Sequence, residues 1–258
     1  SLLFATAMTL NPLVAVAQTA NQGGPLIDYG TRFIPEIAAK GMVSGPEKLA
    51  SEAGLSMLKR GGNAVDAAVA TGFALEVTLP RAGNLAGGGF MLVHLAKTDE
   101  QVFIDYREMA PASASRDMFL NEDGTVNKQM AYNSPSAAGI PGTVAGMIHA
   151  LENYGTLDLK TVIQPAIELA EQGFRVPAAL HLNLRAATKR LARNEEANRI
   201  YLAGTGTAPA MGSLFKQPDL AATLKRISDN GTDGFYKGKT AALIVEEMQR
   251  NGGLITRS

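Results

Sequence analysis

The residues best suited to chemistry lie between Gly83 and Pro111, where a glycine-rich loop is followed by two strand-like segments and then by Arg107. The arginine side chain stays charged and presents a planar fork of donors, which can grip a carboxylate in two places. The same stretch contains no obvious nucleophile. It therefore indicates a site that holds an acidic substrate, without identifying the group that would attack it.

Arg107 also has a purely structural interpretation. Successive strand residues lie on opposite faces of a sheet. The second strand carries Val102, Ile104 and Tyr106 on one face and Phe103, Asp105 and Arg107 on the other. Because both faces contain apolar residues, we expect the strand to be covered on both sides and Arg107 to emerge partly buried, where it needs an anionic partner. Asp105 could be that partner at rest, so a structural Arg–Asp pair remains open.

The loop from Gly83 to Gly89 (GNLAGGG) ends in three successive glycines, which allow another backbone or a ligand to approach closely. It does not match a phosphate-binding motif, because the glycine spacing is wrong and a strand follows where those motifs require a helix. Two interpretations stay open, a tight turn packed against a neighbouring strand and a loop that lines a site.

Composition narrows the class of protein. The 258 residues are 46% hydrophobic and carry 24 basic and 24 acidic side chains, which is typical of a globular chain and makes nucleic acid a poor candidate partner. Cysteine is absent, which excludes disulfides, thiolate metal sites and a cysteine nucleophile. The three histidines show no local metal-ligand spacing, so we predict no metal site.

The first residues have the pattern of an export signal. Residues 1–17 are uncharged and mostly apolar, and they close with Ala15-Val16-Ala17, a small-x-small pattern that suits cleavage before Gln18. The basic n-region is missing. A membrane anchor is the alternative, although the stretch is shorter than the roughly 20 residues of a span. We therefore expect a signal peptide over 1–17, a lead-in over 18–40, a folded region over 41–258, and no stable membrane span.

Hydrophobic periodicity and turn residues predict the elements that must position Arg107. Helix Pro46–Arg60, with Ser44 as its cap, precedes a nearly all-apolar helix from Asn63 to Val77, which should be buried. A short polar connection predicts an antiparallel hairpin of Phe90–Leu95 and Val102–Arg107. Further predicted helices are Pro141–Tyr154, Leu159–Gln172, Pro177–Asn194, Asp219–Asp229 and Lys239–Arg250. Together they indicate a layered α+β protein with an antiparallel sheet.

Six strings stand out along the chain. They are GGNAVDAAVA (61–70), GNLAGGGFML (83–92), DYREMAP (105–111), PGTVAG (141–146), QPAIELAEQGF (164–174) and NGGLIT (251–256). In this order they resemble the γ-glutamyltranspeptidase (glutathione hydrolase) family. The resemblance implies an N-terminal nucleophile hydrolase with an αββα sandwich, incomplete in this chain, and an added helical region. It implies that residues 41–258 are part of the large subunit and that no metal or organic cofactor is needed.

The resemblance also implies a reaction. Enzymes of this family cut their own precursor before a threonine, which then attacks a γ-glutamyl carbonyl and passes the acyl group to water or to an amino acid. It implies glutathione-like substrates, a small subunit from the same precursor, and a periplasmic or secreted location. The arginine of the family's REMAP string matches Arg107, and it grips the α-carboxylate of the γ-glutamyl group.

One departure from the family pattern limits what the resemblance implies about catalysis by this chain. The family's nucleophile lies in a Thr-Thr-His string, which does not occur in this sequence. We therefore expect no catalytic residue in this chain and an inactive fragment by itself. A cephalosporin (glutaryl) acylase of the same superfamily and a non-catalytic binding protein remain as alternatives. The intact REMAP string favours the transpeptidase, because a glutaryl group lacks the α-carboxylate–amine pair.

Overall fold

The computed structural model describes residues 37–257, so the signal peptide predicted over 1–17 and most of the lead-in over 18–40 lie outside the described part. Ten helices, a short 3-10 turn and two small antiparallel sheets are found within 37–257. The helices are α1 (Lys48–Lys59), α2 (Ala64–Thr78), α3 (Lys128–Asn133), α4 (Thr143–Tyr154), α5 (Leu159–Gln172), α6 (Ala178–Leu191), α7 (Glu195–Tyr201), α8 (Pro218–Asn230), α9 (Asp233–Tyr236) and α10 (Gly238–Asn251). The strands are β1 (Phe90–Leu95), β2 (Glu100–Asp105), β3 (Phe174–Arg175) and β4 (Leu214–Phe215).

Helix α2 is the centre of the core, as its apolar sequence predicts. It packs against α1, α4 and α5, and Phe73 and Val77 are fully buried. Its first turn is closed by a capping box, in which the Asn63 and Asp66 side chains each accept a hydrogen bond from the other residue's backbone N–H. The expected cap of α1 was wrong, because Glu47 rather than Ser44 accepts the hydrogen bond at that end, from the Ala50 N–H at 3.0 Å.

Strands β1 and β2 form the predicted antiparallel hairpin, with Phe90 opposite Asp105 and Leu95 opposite Glu100. The second strand ends at Asp105, two residues earlier than expected. Arg107 therefore lies beyond the strand, in the segment that leads towards Met109. The β3–β4 pair is a second, separate ladder of two residues a side, and the sequence pattern did not predict it.

The helical region after the hairpin largely follows the prediction. Buried residues line one face of α5 at helical spacing, and Pro165 is accommodated inside that helix. The predicted helix Pro177–Asn194 corresponds to α6, which ends at Leu191. Helix α7, which begins after the capping residue Asn194, was not predicted. None of the helices within 37–257 is both long and apolar enough to cross a membrane.

Phe235 and Tyr236 anchor the C-terminal helices. Phe235 is buried, and the Tyr236 hydroxyl donates a hydrogen bond to the Pro141 carbonyl at 2.9 Å. The same hydroxyl accepts one from the Ala145 N–H at 3.2 Å. The start of α4, next to the hairpin end, is therefore fixed from the C-terminal side as well.

Candidate substrate-binding site

The glycine-rich loop packs backbone to backbone against the residues that follow β2. A Cβ on Gly88 would lie 2.6 Å from both the Glu108 nitrogen and the Tyr106 oxygen, so no side chain fits there. Gly89 extends the ladder by one more pair, since its N–H and carbonyl bond to the carbonyl and N–H of Tyr106 at 3.3 and 3.0 Å. The interpretation of the loop as a turn packed against the neighbouring strand is therefore confirmed. Its role in lining a site stays a prediction.

The loop also joins the hairpin to helix α4. The Gly87 carbonyl accepts hydrogen bonds from the N–H groups of Gly142 and Thr143 at 2.8 and 3.0 Å. On the other side, Met109 and Ile140 form an isolated antiparallel bridge. The segment from Tyr106 to Met109 is thus held by main-chain bonds at both ends, which fixes the base of the Arg107 side chain.

Tyr106, the residue before Arg107, is the packing centre of this region. Cβ atoms on Gly142 and Gly146 would collide with the Tyr106 carbonyl and with the root of its side chain, and one on Gly89 would lie 2.9 Å from its ring. Burial and the nearby Glu76 raise the pKa of the Tyr106 hydroxyl. The PGTVAG and GNLAGGGFML strings therefore supply the glycines that let this ring fit.

Glu76 of α2 lies close enough to Tyr106 for its charge to affect the tyrosine hydroxyl. It is 9% exposed, and its Oε2 is the one buried side-chain oxygen or nitrogen of residues 37–257 without a hydrogen-bond partner. Burial raises its pKa to about 8, so the carboxyl is neutral at pH 7. Sequence reasoning did not single out Glu76. The only signal was an acid inside an otherwise apolar helical run.

The Arg107 side chain is exposed rather than partly buried, which corrects the expectation from the sequence. The Asp105 carboxylate accepts a hydrogen bond from the Arg107 backbone N–H at 3.0 Å, and not from its guanidinium. The guanidinium has no ion pair or hydrogen bond within residues 37–257. The alternative of a structural Arg–Asp pair is therefore wrong, and the side chain remains available to an external anion.

The outer face of the β1–β2 hairpin is open, and its large apolar residues are exposed. Phe90 and Phe103 stack with ring centroids 5.7 Å apart, while Phe103 is 62% and Leu92 70% exposed. The expectation that both faces of this strand are covered was wrong for residues 37–257. On the inner face, Val93 and Ile104 are buried in the main core.

Other chemistry-bearing groups of the described region do not converge. No cluster of three or more histidine, aspartate or glutamate side chains within 37–257 could hold a metal ion. The His94 Nε2 lies 3.9 Å from the Asp99 Oδ1 at the hairpin turn, and the His181 Nδ1 is hydrogen-bonded to the Pro209 carbonyl. Within residues 37–257, the geometry therefore singles out the Arg107 segment as the candidate site.

Comparison with known proteins defines the class first. Chains of similar fold are N-terminal nucleophile hydrolases, both transpeptidases and acylases, which confirms the α+β fold class expected from the sequence. Residues 50–258 match the family described as Gamma-glutamyltranspeptidase. The chain belongs to this family.

Individual relatives agree with this assignment. The chain is 46% identical to the glutathione hydrolase proenzyme of Escherichia coli K12 over 236 residues, which is 90% of this chain and 40% of that protein. It superimposes on Helicobacter pylori γ-glutamyltranspeptidase with a TM-score of 0.84 at 42% identity, over 87% of this chain and 64% of that one. Cephalosporin acylase from Bacillus halodurans gives a TM-score of 0.71 at 26% identity, over 90% of this chain and 45% of that chain. The chain thus spans about 40% of the length of the glutathione hydrolase proenzyme it matches.

Proposed function

We propose that this chain is part of an enzyme that cleaves the γ-glutamyl bond of glutathione and related compounds. The γ-glutamyl group is transferred to water or to an amino acid or peptide. The observation that carries the proposal is the Arg107 side chain, which is exposed and unpaired within residues 37–257 while its backbone is held on both sides. Membership of the γ-glutamyltranspeptidase family supports the reaction type.

In this proposal Arg107 binds the α-carboxylate of the γ-glutamyl group. A guanidinium donates two parallel hydrogen bonds to the two carboxylate oxygens, which fixes the orientation of the substrate as well as its position. The rigid backbone from Tyr106 to Met109 limits the freedom lost on binding, because only the side chain itself must be ordered. The α-carboxylate held by the arginine would then limit how far away the γ-carbonyl can lie.

The nucleophile in this proposal is a threonine of a second subunit cut from the same precursor. The name proenzyme, carried by relatives at 46% and 43% identity, supports a precursor. The open apolar face around Phe90, Leu92 and Phe103 supports a further layer of structure over the hairpin. The chain by itself would then bind substrate poorly and catalyse nothing.

We also propose that the protein is exported to the periplasm or secreted. The support is the uncharged apolar stretch over 1–17 and its small-x-small ending. Mass spectrometry of the mature N-terminus tests this directly, since cleavage before Gln18 is the expected result. A retained segment 1–17 would contradict it.

The acylase alternative is tested by substrate choice. The full-length protein that contains this chain would be assayed with a γ-glutamyl anilide and with the matching glutaryl anilide, which keeps the terminal carboxylate but lacks the α-amine. The proposal expects efficient cleavage of the first and little of the second. The reverse preference would favour the acylase, and cleavage of neither would favour a non-catalytic binding protein.

A further inference from the structure

Glu76 is an acidic residue whose buried surroundings contain no partner for a negative charge. Its side chain is almost completely buried, Oε2 has no hydrogen-bond partner within residues 37–257, and the residues around it on α2 are apolar. An ionised carboxylate without a partner is expensive to bury, whereas a neutral acid is tolerated. The packing of this region therefore depends on whether Glu76 holds its proton.

Tyr106 connects this acid to Arg107. Burial raises the pKa of the Tyr106 hydroxyl, and Glu76 lies close enough for its charge to raise that pKa further. The Tyr106 main chain pairs with Gly89, and its ring packs against Gly146 with no space to spare. A displacement of Tyr106 that reaches its Cβ also shifts the backbone that carries Arg107, the next residue.

No other titratable group is placed to compensate Glu76. Asp66, the other buried acid of α2, lies at the opposite end of that helix, almost three turns away. The charged side chains of the elements around α2 are all exposed, namely Lys48, Glu52 and Lys59 of α1, Glu152 of α4, Lys160, Glu168 and Glu171 of α5, and Glu100 and Asp105 of β2, as is His149 of α4. Tyr106 is therefore the titratable group that faces Glu76.

We propose that Glu76 is a positioning residue for Arg107: its neutral carboxyl keeps Tyr106 seated against the glycines, and loss of its proton unseats Tyr106 and the arginine with it. The inference rests on the proposed role of Arg107 in binding the α-carboxylate. Because burial raises the pKa of Glu76 to about 8, substrate binding weakens above that pH while the chemical step is unaffected.

The test compares KM and kcat of the full-length wild-type enzyme with those of Glu76→Gln, using a γ-glutamyl anilide between about pH 7 and about pH 9. Glutamine keeps the size and polarity of the neutral acid but cannot ionise. The titration of the substrate amine and of the nucleophile is common to both enzymes, so it cancels in the ratio of their KM values. Glu152→Gln, an exposed glutamate of α4, is the matched control.

We expect equal KM values for wild type and Glu76→Gln near pH 7, and a wild-type KM roughly tenfold higher near pH 9, because the competent fraction falls about tenfold one pH unit above the pKa. The kcat ratio should stay constant. A KM ratio that does not change with pH overturns the inference. Should Glu76→Gln fail to fold, Glu76→Met provides the same non-ionisable comparison.

Arg107→Ala in the same series separates the two proposals. If its KM rises strongly while the Glu76→Gln ratio stays flat, Arg107 binds substrate and Glu76 does not position it. If the Arg107→Ala KM equals that of wild type, both proposals fail together.

Discussion

Gly146 of α4 lies directly against the side chain of Tyr106, so close that a Cβ at position 146 would collide with Cβ and Cγ of the tyrosine. These atoms belong to the root of the side chain and cannot swing away without moving the backbone. The contact joins α4 to the hairpin end that carries Arg107. It makes glycine at position 146 a condition for the geometry of the site.

We predict that Gly146→Ala destabilises the protein by about 1–3 kcal/mol, the usual cost of overpacking. Gly72→Ala in α2 is the matched control. Both substitutions add the same methyl group within a helix and gain the same helix propensity, but at Gly72 the nearest atom is the flexible Met147 Sδ at 2.6 Å. The measurement is thermal unfolding of the full-length protein. Equal melting temperatures for the two variants would contradict the tight contact.

Asp66→Asn should cost stability at neutral pH. Asp66 is fully buried and accepts hydrogen bonds from the Thr156 N–H and hydroxyl and from the N–H groups of Leu157 and Asn63, at 2.6 to 3.0 Å. Burial alone would raise its pKa, but these hydrogen bonds outweigh burial and leave the pKa lowered. An asparagine offers one acceptor oxygen and a misplaced donor, so we expect a loss of roughly 2–4 kcal/mol.

The pH dependence of this effect has a definite sign. A lowered pKa in the folded state gives stability that is present above the unfolded value of 3.8 and is lost as the pH falls through the folded value. The difference between wild type and Asp66→Asn should therefore shrink below about pH 4. Asp158→Asn, an exposed cap of α5 whose pKa the Thr161 hydrogen bonds also lower, is the comparison and should lose less stability than Asp66→Asn at pH 7, because asparagine also caps helices. A pH-independent difference at Asp66 would contradict the role of its charge.

Unlike Asp66→Asn, Glu76→Gln should become more stable relative to wild type as the pH rises. The pKa of Glu76 is raised from 4.5 to about 8, so its contribution is fully present below pH 4.5 and is lost as the pH rises towards 8. At about 1.4 kcal/mol for each pH unit, the glutamine variant should gain up to roughly 5 kcal/mol on wild type over this range. Denaturant unfolding at about pH 5, 6.5 and 8 checks the trend. A constant difference across the three pH values would mean that Glu76 is charged in the folded protein.

The elements of the fold were largely predictable because their signals are local. Each of these signals acts within a few residues. They are the helix stop and cap at Gly61-Gly62-Asn63, the apolar run of α2 and the polar connection of the hairpin. Helix α7 was also predictable, since Asn194 followed by Glu195 and Glu196 is the pattern of a helix start, but the sequence analysis did not include this helix. Local patterns therefore located the hairpin that carries Arg107.

The state of the site was not predictable, because it depends on contacts between distant parts of the chain. The apolar composition of both faces of β2 predicted a covered strand, yet exposure is decided by what packs against each face. The Asp105 carboxylate accepts a hydrogen bond from the backbone N–H of Arg107, two residues further along the chain, and β2 ends at Asp105. Likewise, the burial of Glu76 depends on what packs around the end of α2, where Gly83 lies against the backbone of Leu75 and Glu76, and no residue spacing reveals this.

The most direct test of the account is the KM of Arg107 variants for a γ-glutamyl anilide, measured in the full-length enzyme. Loss of a charge-assisted pair costs roughly 2–5 kcal/mol, so Arg107→Ala should raise KM by at least about 30-fold. Arg107→Lys keeps the charge but not the planar donor fork, so its KM should lie between those of wild type and Arg107→Ala. Arg185→Ala, which removes an exposed arginine of α6, should match wild type. An unchanged KM for Arg107→Ala would contradict the central claim that this arginine holds the substrate carboxylate.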